Sequence, residues 1–225
     1  MHPFATIAQK AVRQSGRTMM KSLERMDSIG ITVKEKNDFV TNVDLHVERD
    51  LIQTLKQHYP NHAIWSEEAG KEPEFENAEH RWIIDPIDGT TNFIRGLPNF
   101  AVSLCYQHKK DTQLSVIYHP PLEELFIAER GRGAQLNQKR IRVSKQDLSG
   151  SLVNFSLSNR QQSIDKHQLQ TQLIAQLTGQ VAGLRLQGSA ALSMAYLAAG
   201  RYDAMISFNL PTWDYAAGSL FITEA

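Results

Sequence analysis

Four segments of the sequence set acids beside apolar runs. They are Glu67 and Glu68 in "WSEEAG", Asp85 and Asp88 in "WIIDPIDGTTNF", Asp214 in "PTWDYAAG" and Asp44 in "DFVTNVD". Carboxylates gathered at the mouth of a hydrophobic strand repel one another and lose hydration, so something must compensate them. Hard divalent cations such as Mg2+ can do so, because they take oxygen ligands in octahedral geometry at about 2.0–2.1 Å. The Asp-Pro-Ile-Asp spacing suits that role. Pro86 fixes its own φ and predicts a turn at the strand end. Asp85 and Asp88 can then face one point, with the Ile87 carbonyl between them. Gly89 allows a tight bend, and Thr90 and Thr91 supply hydroxyls beside it. Each fragment alone also has a plainer reading. Asp-Pro-Ile-Asp-Gly can be an Asx-turn with surface acids, Asp214 an acid favoured by a helix dipole, and Glu67 and Glu68 loop surface. Together the segments are more specific than any one of them.

The elements that must position these acids can be read from periodicity. "MHPFATIAQKAVRQSGRTMMKSL" predicts an amphipathic helix, and "ITVKEK" a short strand or loop. "TNVDLHVERDLIQTLKQHYP" predicts a second helix, with Val43, Val47, Leu51 and Leu55 at helical spacing and Pro60 beyond its end. "AIWSEEAG" reads as a strand running into a loop, and "KEPEFENAEH" as exposed polar chain. From Arg81 the texture changes to short apolar or alternating runs separated by turn residues, which predict largely antiparallel strands. "RGRGAQLNQKRIRVS" reads as a solvated hairpin, although its cations could also hold an anion. After about residue 150, strand and helix patterns alternate, as in an α/β unit. Gly179 closes one of its helices, Ser189 is the expected N-cap of a small-residue helix, and Thr212 the expected N-cap of the last.

With 225 residues the chain can bury a substantial core. Its formal net charge of +0 gives no global footprint for nucleic acid or an anionic membrane, so direct nucleic-acid binding is not expected. No run approaches the roughly 20 apolar residues needed to span a bilayer. Its one cysteine, Cys105, sits in the apolar run "FAVSLCY" and reads as a core residue in a reducing compartment. The N-terminus is too polar for a signal peptide, so a cytoplasmic protein is expected.

"WSEE", "WIIDPIDGTTNFIRGLPNFAVSL" and "WDYAAGSLFITEA" resemble the motif blocks of the inositol monophosphatase family, and "NDFVTNVD" resembles its bacterial branch. The resemblance covers essentially the whole chain. It implies one phosphatase domain over 1–225, an α+β fold built as a layered αβαβα sandwich of the inositol monophosphatase/fructose-1,6-bisphosphatase type. Residues 1–150 would form an antiparallel-sheet half with two N-terminal helices, and 151–225 an α/β half. It also implies a magnesium-dependent, lithium-sensitive hydrolase acting on a small phosphate monoester, myo-inositol 1-phosphate first, through metal-activated water. Carried over residue by residue, Glu68, Asp85, the Ile87 carbonyl, Asp88 and Asp214 would bind Mg2+. Glu68 and Thr90 would position the water, and Asp44 would accept a hydrogen bond from Thr90. The Gly89 and Thr90 amides would hold phosphate. Gly188, Ser189 and Ala190, in "LQGSAAL", match a substrate-binding segment, with a plain helix N-cap as the alternative.

Two departures stand out. Inositol-preferring relatives often carry a glutamate seven residues before the last metal-binding aspartate, where this chain has Ser207. Another sugar or polyol phosphate, a nucleotide phosphate or histidinol phosphate is therefore an alternative substrate. Relatives also continue past "FITEA" into further strands and a helix, so the C-terminal half is short. The family further implies a homodimer, and for its bacterial branch a protein partner in the transcription machinery, in antitermination.

Overall fold

The computed structural model describes residues 2–35, 38–156 and 164–225. Helix α1 (Ala5–Leu23) buries Ala8, Ala11, Val12, Ser15 and Met19 along one face. The small residues among them, Ala8, Ala11 and Ser15, let the helix lie close on a sheet. At Gly16 an added Cβ would collide with the Tyr118 ring and stand 3.1 Å from Pro120 Cγ. A hairpin of β1 (Ile31–Glu35) and β2 (Asp38–Thr41) leads to α2 (Asn42–His58). A capping box starts α2: the Val43 and Asp44 amides donate to Thr41 Oγ1 at 3.1 and 3.2 Å, and the Thr41 amide donates to Asp44 at 2.9 Å. Val43, Val47, Leu51 and Leu55 are buried, at the spacing the sequence predicts.

The main sheet contains β3 (Ala63–Ser66), β4 (Gly70–Lys71), β5 (His80–Asp88), β6 (Ala101–His108), β7 (Asp111–His119), β8 (Glu124–Glu129), β9 (Gly133–Leu136) and β10 (Lys139–Arg140). Its eight strands run in the order β10-β9-β8-β7-β6-β5-β3-β4. All pairs are antiparallel except β3 with β5. A five-residue helix, α3 (Thr90–Ile94), follows β5. A second sheet is parallel, in the order β12-β11-β13, from β11 (Leu152–Ser156), β12 (Gly183–Arg185) and β13 (Ala204–Ser207). Helix α4 (Ile164–Leu177) lies between β11 and β12 in sequence. Helices α5 (Ala190–Ala198) and α6 (Thr212–Glu224) bracket β13.

Alternation along the central strands sorts their side chains onto two cores. Trp82, Ile84, Val102, Leu104 and Val116 meet α1 and α2 on one face. Ile83, Ala101, Cys105, Ile117 and Phe126 meet α5 and α6 on the other. Helix α5 also lies against β13. The layered αβαβα sandwich is thus the architecture of the chain. Among the described residues no helix is long and apolar enough to cross a membrane.

Three local expectations change. Phe75 is buried inside the polar "KEPEFENAEH" stretch, under the Arg81 guanidinium at 5.0 Å from its ring centre. The N-cap of α6 is Pro211, and Thr212 is its first residue. Ser189 is the N-cap of α5, but its hydroxyl makes no bond to its own helix.

The α1–sheet contact can be tested at Gly16. Gly16→Val should lower stability by about 1–3 kcal/mol through overpacking against Tyr118, measured by urea unfolding. An unchanged midpoint would show that the helix can ride up without loss.

Candidate metal centre

The sequence predicts a turn at Pro86, but β5 runs through it to Asp88. Asp85 pairs with Ser103 and Asp88 with Ala101, so three steps on β5 oppose two on β6. That is a β-bulge, which also accommodates a residue without an amide hydrogen. The extra residue has a direct chemical consequence. On a regular strand, side chains three apart point to opposite faces; the bulge reverses the parity. Helix α6 brings Asp214 to the same place in its first turn. Asp85, Asp88 and Asp214 each offer a carboxylate oxygen, and these atoms all lie within 4.8 Å of one another.

This cluster is electrostatically unfavourable by itself. Burial pushes the Asp85 carboxyl well above the usual range, and Glu67, Asp88 and Asp214 push it further. Its Oδ1 has no hydrogen-bond partner among the described residues. The Glu67 carboxyl rises to about 7, chiefly through burial; Lys34 opposes the shift, and Glu68 and Asp44 add to it. A buried, all-oxygen donor set with an orphaned carboxylate atom fits a hard divalent cation.

Of the two adjacent glutamates, Glu67 faces the cluster. Its amide donates to Ile84 O at 3.2 Å, which extends β3 along β5, and its charge is the largest neighbouring influence that raises the Asp85 carboxyl. Glu68 takes the closer contact with Lys34 of β1, whose ammonium also stands 3.7 Å from Glu67 Oε1, while the Glu68 and Ala69 amides donate to Glu48 Oε1 at 3.0 and 3.1 Å. The structure thus places Glu67, rather than Glu68, beside Asp85. Neighbouring residues of an extended segment point opposite ways, and the bare pair Glu-Glu does not say which one points inward.

Thr90 Oγ1 lies 3.1 Å from Asp44 Oδ1 and 3.0 Å from the Ile87 carbonyl. The hydroxyl can donate to one of these at a time. Asp44 is nearly fully buried, and burial raises its pKa against the opposing bonds from Thr41 and Thr90. The expected Thr90–Asp44 pair thus sits beside the acids.

Asp88 has a different support. Its Oδ1 accepts from the Ala190 amide at 3.0 Å, and its Oδ2 from the amides of Ala191 and Leu192 at 2.8 and 3.3 Å and from the Ser189 hydroxyl. Asp88 is thereby the capping group of α5, a favourable place for a carboxylate. Ser189 and Ala190, expected beside substrate, are turned toward Asp88. The chain crosses closely here. A Cβ on Gly89, at φ +95, would stand 2.8 Å from Asn99 O and 3.2 Å from Gly188 O. Asn92 Nδ2 lies within 2.7 Å of Asn99 O, 2.9 Å of Gln187 O and 3.2 Å of Gly188 O, tying the two turns together. Sequence reasoning missed Glu48, Asn92 and Lys34. For Glu48 a clue was present: it stands one helical turn after Asp44 on the same helix.

The comparisons bear on this geometry. The inositol monophosphatase family profile matches residues 1–225. "Nus factor SuhB" of Pseudomonas aeruginosa is 44% identical over 227 residues, covering 100% of this chain and 84% of that protein. The SuhB of Escherichia coli is 42% identical over 228 residues, with the same coverage of 100% and 84%. The crystal structure of the extragenic suppressor protein suhB from Bartonella henselae superposes with a TM-score of 0.93 at 33% identity, over 98% of this chain and 84% of that one. A staphylococcal inositol monophosphatase, solved as an inhibitory complex soaked in LiCl, superposes with a TM-score of 0.80 at 26% identity, over 94% and 76%.

The raised Glu67 carboxyl sets a pH dependence. Its folded-state value of about 7 exceeds the ordinary 4.5, so the stability linked to its protonation is full below 4.5 and is lost as pH rises through 7. Thermal melts in chelator should therefore show Tm falling between about pH 5 and pH 8, with Mg2+ restoring it at the upper end. Melts independent of both pH and Mg2+ would remove the electrostatic case for a metal centre.

Proposed function

The chain belongs to the inositol monophosphatase family, and on that premise we propose that it is a Mg2+-dependent phosphatase of small phosphate monoesters, with myo-inositol 1-phosphate as the first candidate substrate. The observation that carries this reading is the convergence of Asp85, Asp88 and Asp214 beside the Thr90–Asp44 pair. The three aspartates, Glu67 and the Ile87 carbonyl would hold the metal. When bound, Mg2+ supplies positive charge against the anionic phosphate and polarises the attacking water. The protein's own groups do the positioning. Thr90, donating to Asp44, turns its oxygen lone pairs toward that water and can pass on a proton without adding charge to an acidic site. The Thr41 amide and the first turn of α2 hold Asp44 in place. The α5 amides hold Asp88 rigid, so it need not reorganise on metal binding. The Gly89 and Thr90 amides are the proposed phosphate contacts, and the turn at Gly188, Ser189 and Ala190 borders the substrate. Glu68 pairs with Lys34 instead of facing Asp85.

No covalent nucleophile is needed. Burial pushes the Cys105 thiol up to about 12, which leaves it inert at neutral pH. We place the protein in the cytoplasm, the reducing setting that a lone thiol suits, as a homodimer by family likeness. The second reading is a SuhB-like factor that binds the transcription machinery in antitermination. It is favoured by the relatives called Nus factor and would use an outer surface rather than the acidic cleft.

Phosphate release should be measured with and without Mg2+ on myo-inositol 1-phosphate, glycerol 2-phosphate, fructose 1,6-bisphosphate, 3′-phosphoadenosine 5′-phosphate and histidinol phosphate. Turnover should need Mg2+ and drop at least roughly a hundredfold in Asp85→Asn. A folded, Mg2+-binding chain with no turnover on the panel sinks the enzyme reading, and partner capture retained in Asp85→Asn would then favour the second. Substrate choice has its own test. Ser207 ends β13, and its Oγ is buried without a hydrogen-bond partner among the described residues. Ser207→Glu should raise kcat/KM for inositol 1-phosphate relative to glycerol 2-phosphate by roughly tenfold, the worth of one added hydrogen bond to a hydroxyl; an unchanged ratio removes this position from substrate choice.

A further inference from the structure

At the opposite end of β5 lies a second group of metal-ligating side chains. Glu79, His80 and His108 each offer one ligand atom, and the three atoms lie within 4.8 Å of one another. His80 and His108 are direct partners across the β5–β6 pair. Residues so paired carry their side chains on one face of the sheet, with Cβ atoms about 4.5–5.5 Å apart. The rings stack at 5.1 Å and 22°. His108 Nε2 already lies 2.9 Å from Glu79 Oε1. A tetrahedral ion with bonds of about 2.0–2.1 Å holds such atoms about 3.3 Å apart, so the pair needs to open only slightly to admit one.

From these contacts we propose that Glu79, His80 and His108 form a binding site for a borderline divalent cation, Zn2+ by its donor set, separate from the acidic centre. Two imidazoles and a carboxylate, with solvent access for a fourth ligand, make the His/carboxylate combination that Zn2+ takes and Mg2+ does not. Neighbouring contacts hold the group together before any ion arrives. The Lys109 amide donates to Glu79 O at 2.9 Å, tethering Glu79 to the β6–β7 turn beside His108. His80 Nδ1 lies 2.7 Å from the Tyr106 hydroxyl. When Nδ1–H donates there, Nε2 keeps its lone pair for a metal, the usual outer-shell arrangement of a ligating histidine. Behind His80 stacks His62, at 4.9 Å, with its Nδ1 accepting from Trp82 Nε1 at 3.1 Å. Burial, His80 and Lys56 lower the His62 pKa to about 4, so it adds no positive charge at neutral pH. The Lys109 ammonium competes for Glu79 at 3.5 Å, but its side chain is 69% exposed and can swing into solvent. His80 and Asp85 are five residues apart on one strand, about 16 Å, so the two centres bind independently.

The test is calorimetric titration of the full chain, without a histidine tag, with Zn2+ in excess Mg2+, and visible absorption with Co2+ as the spectroscopic probe. The expected result is one Zn2+ equivalent, with a tetrahedral Co2+ band, kept in Asp85→Asn and weakened at least roughly tenfold in both His108→Ala and Glu79→Ala. Both variants change partly exposed side chains, so folding is retained and circular dichroism verifies it. Absence of Zn2+ uptake by the unmodified chain overturns the proposal. Uptake that survives both variants, or that is lost in Asp85→Asn instead, does so equally. None of these results bears on phosphate release, so the two readings stand or fall separately.

Discussion

Carboxylate repulsion in a buried space is the constraint around which this fold is arranged. Asp85, Asp88 and Asp214 come from a strand and from a helix more than a hundred residues later in the sequence. Bringing them together removes water from groups that need it and puts like charges close to one another. A fold tolerates that only if each carboxylate is restrained by something stronger than its own repulsion. Each is restrained differently. Asp88 is fixed by the amides opening α5, Asp85 by the bulged backbone of β5, and Asp214 by its place in the first turn of α6. The remaining imbalance falls on Asp85, whose unpartnered oxygen marks where compensation is still wanted.

The supports link the two halves of the chain. The Asp88–α5 contact spans about a hundred residues of sequence and joins the main sheet to the helix layer behind it. Asn92 repeats that link one turn later, through Gln187 and Gly188. On the other side, α2 contributes two acids one turn apart. Asp44 receives Thr90, and Glu48 receives the loop that follows β3. Helix α2 is thereby both a cover for the core and a bracket for the site. Its capping box has the same double character, since the Asp44 that caps the helix also orients Thr90.

Much of the fold was legible because burial imposes a period. Val43, Val47, Leu51 and Leu55 marked α2, and the short apolar runs after Arg81 marked antiparallel strands. The acids of the site were legible as types and spacing. What sequence could not convey was parity and partner. Pro86 reads as a turn-former, yet a bulge accommodates it inside a strand because the position needs no amide hydrogen. Glu67 and Glu68 are chemically identical, and only the pairing of β3 with β5 decides which one faces Asp85. Ser189 holds the N-cap position of α5, as its type suggests, but the bonds to the first-turn amides come from Asp88 of β5, whose charge suits a helix N-terminus. Phe75 hid among polar neighbours because one buried ring has no period.

Strand β5 gives these points a common geometry. Its C-terminal end presents oxygen donors only, and its N-terminal end presents imidazoles with one carboxylate. The chemistry at each end follows from what the neighbouring strand and turns supply. At Asp85 to Asp88 the register breaks, which gathers acids on one side and leaves room for the start of α5. At His80 the register is regular, so the facing residue, His108, stands directly opposite and the rings stack. A hard ion is favoured where donors are anionic and the backbone is bent to converge. A borderline ion is favoured where neutral nitrogen donors meet across a flat pair. One strand can thus hold two unlike donor sets because its hydrogen-bond register changes along its length.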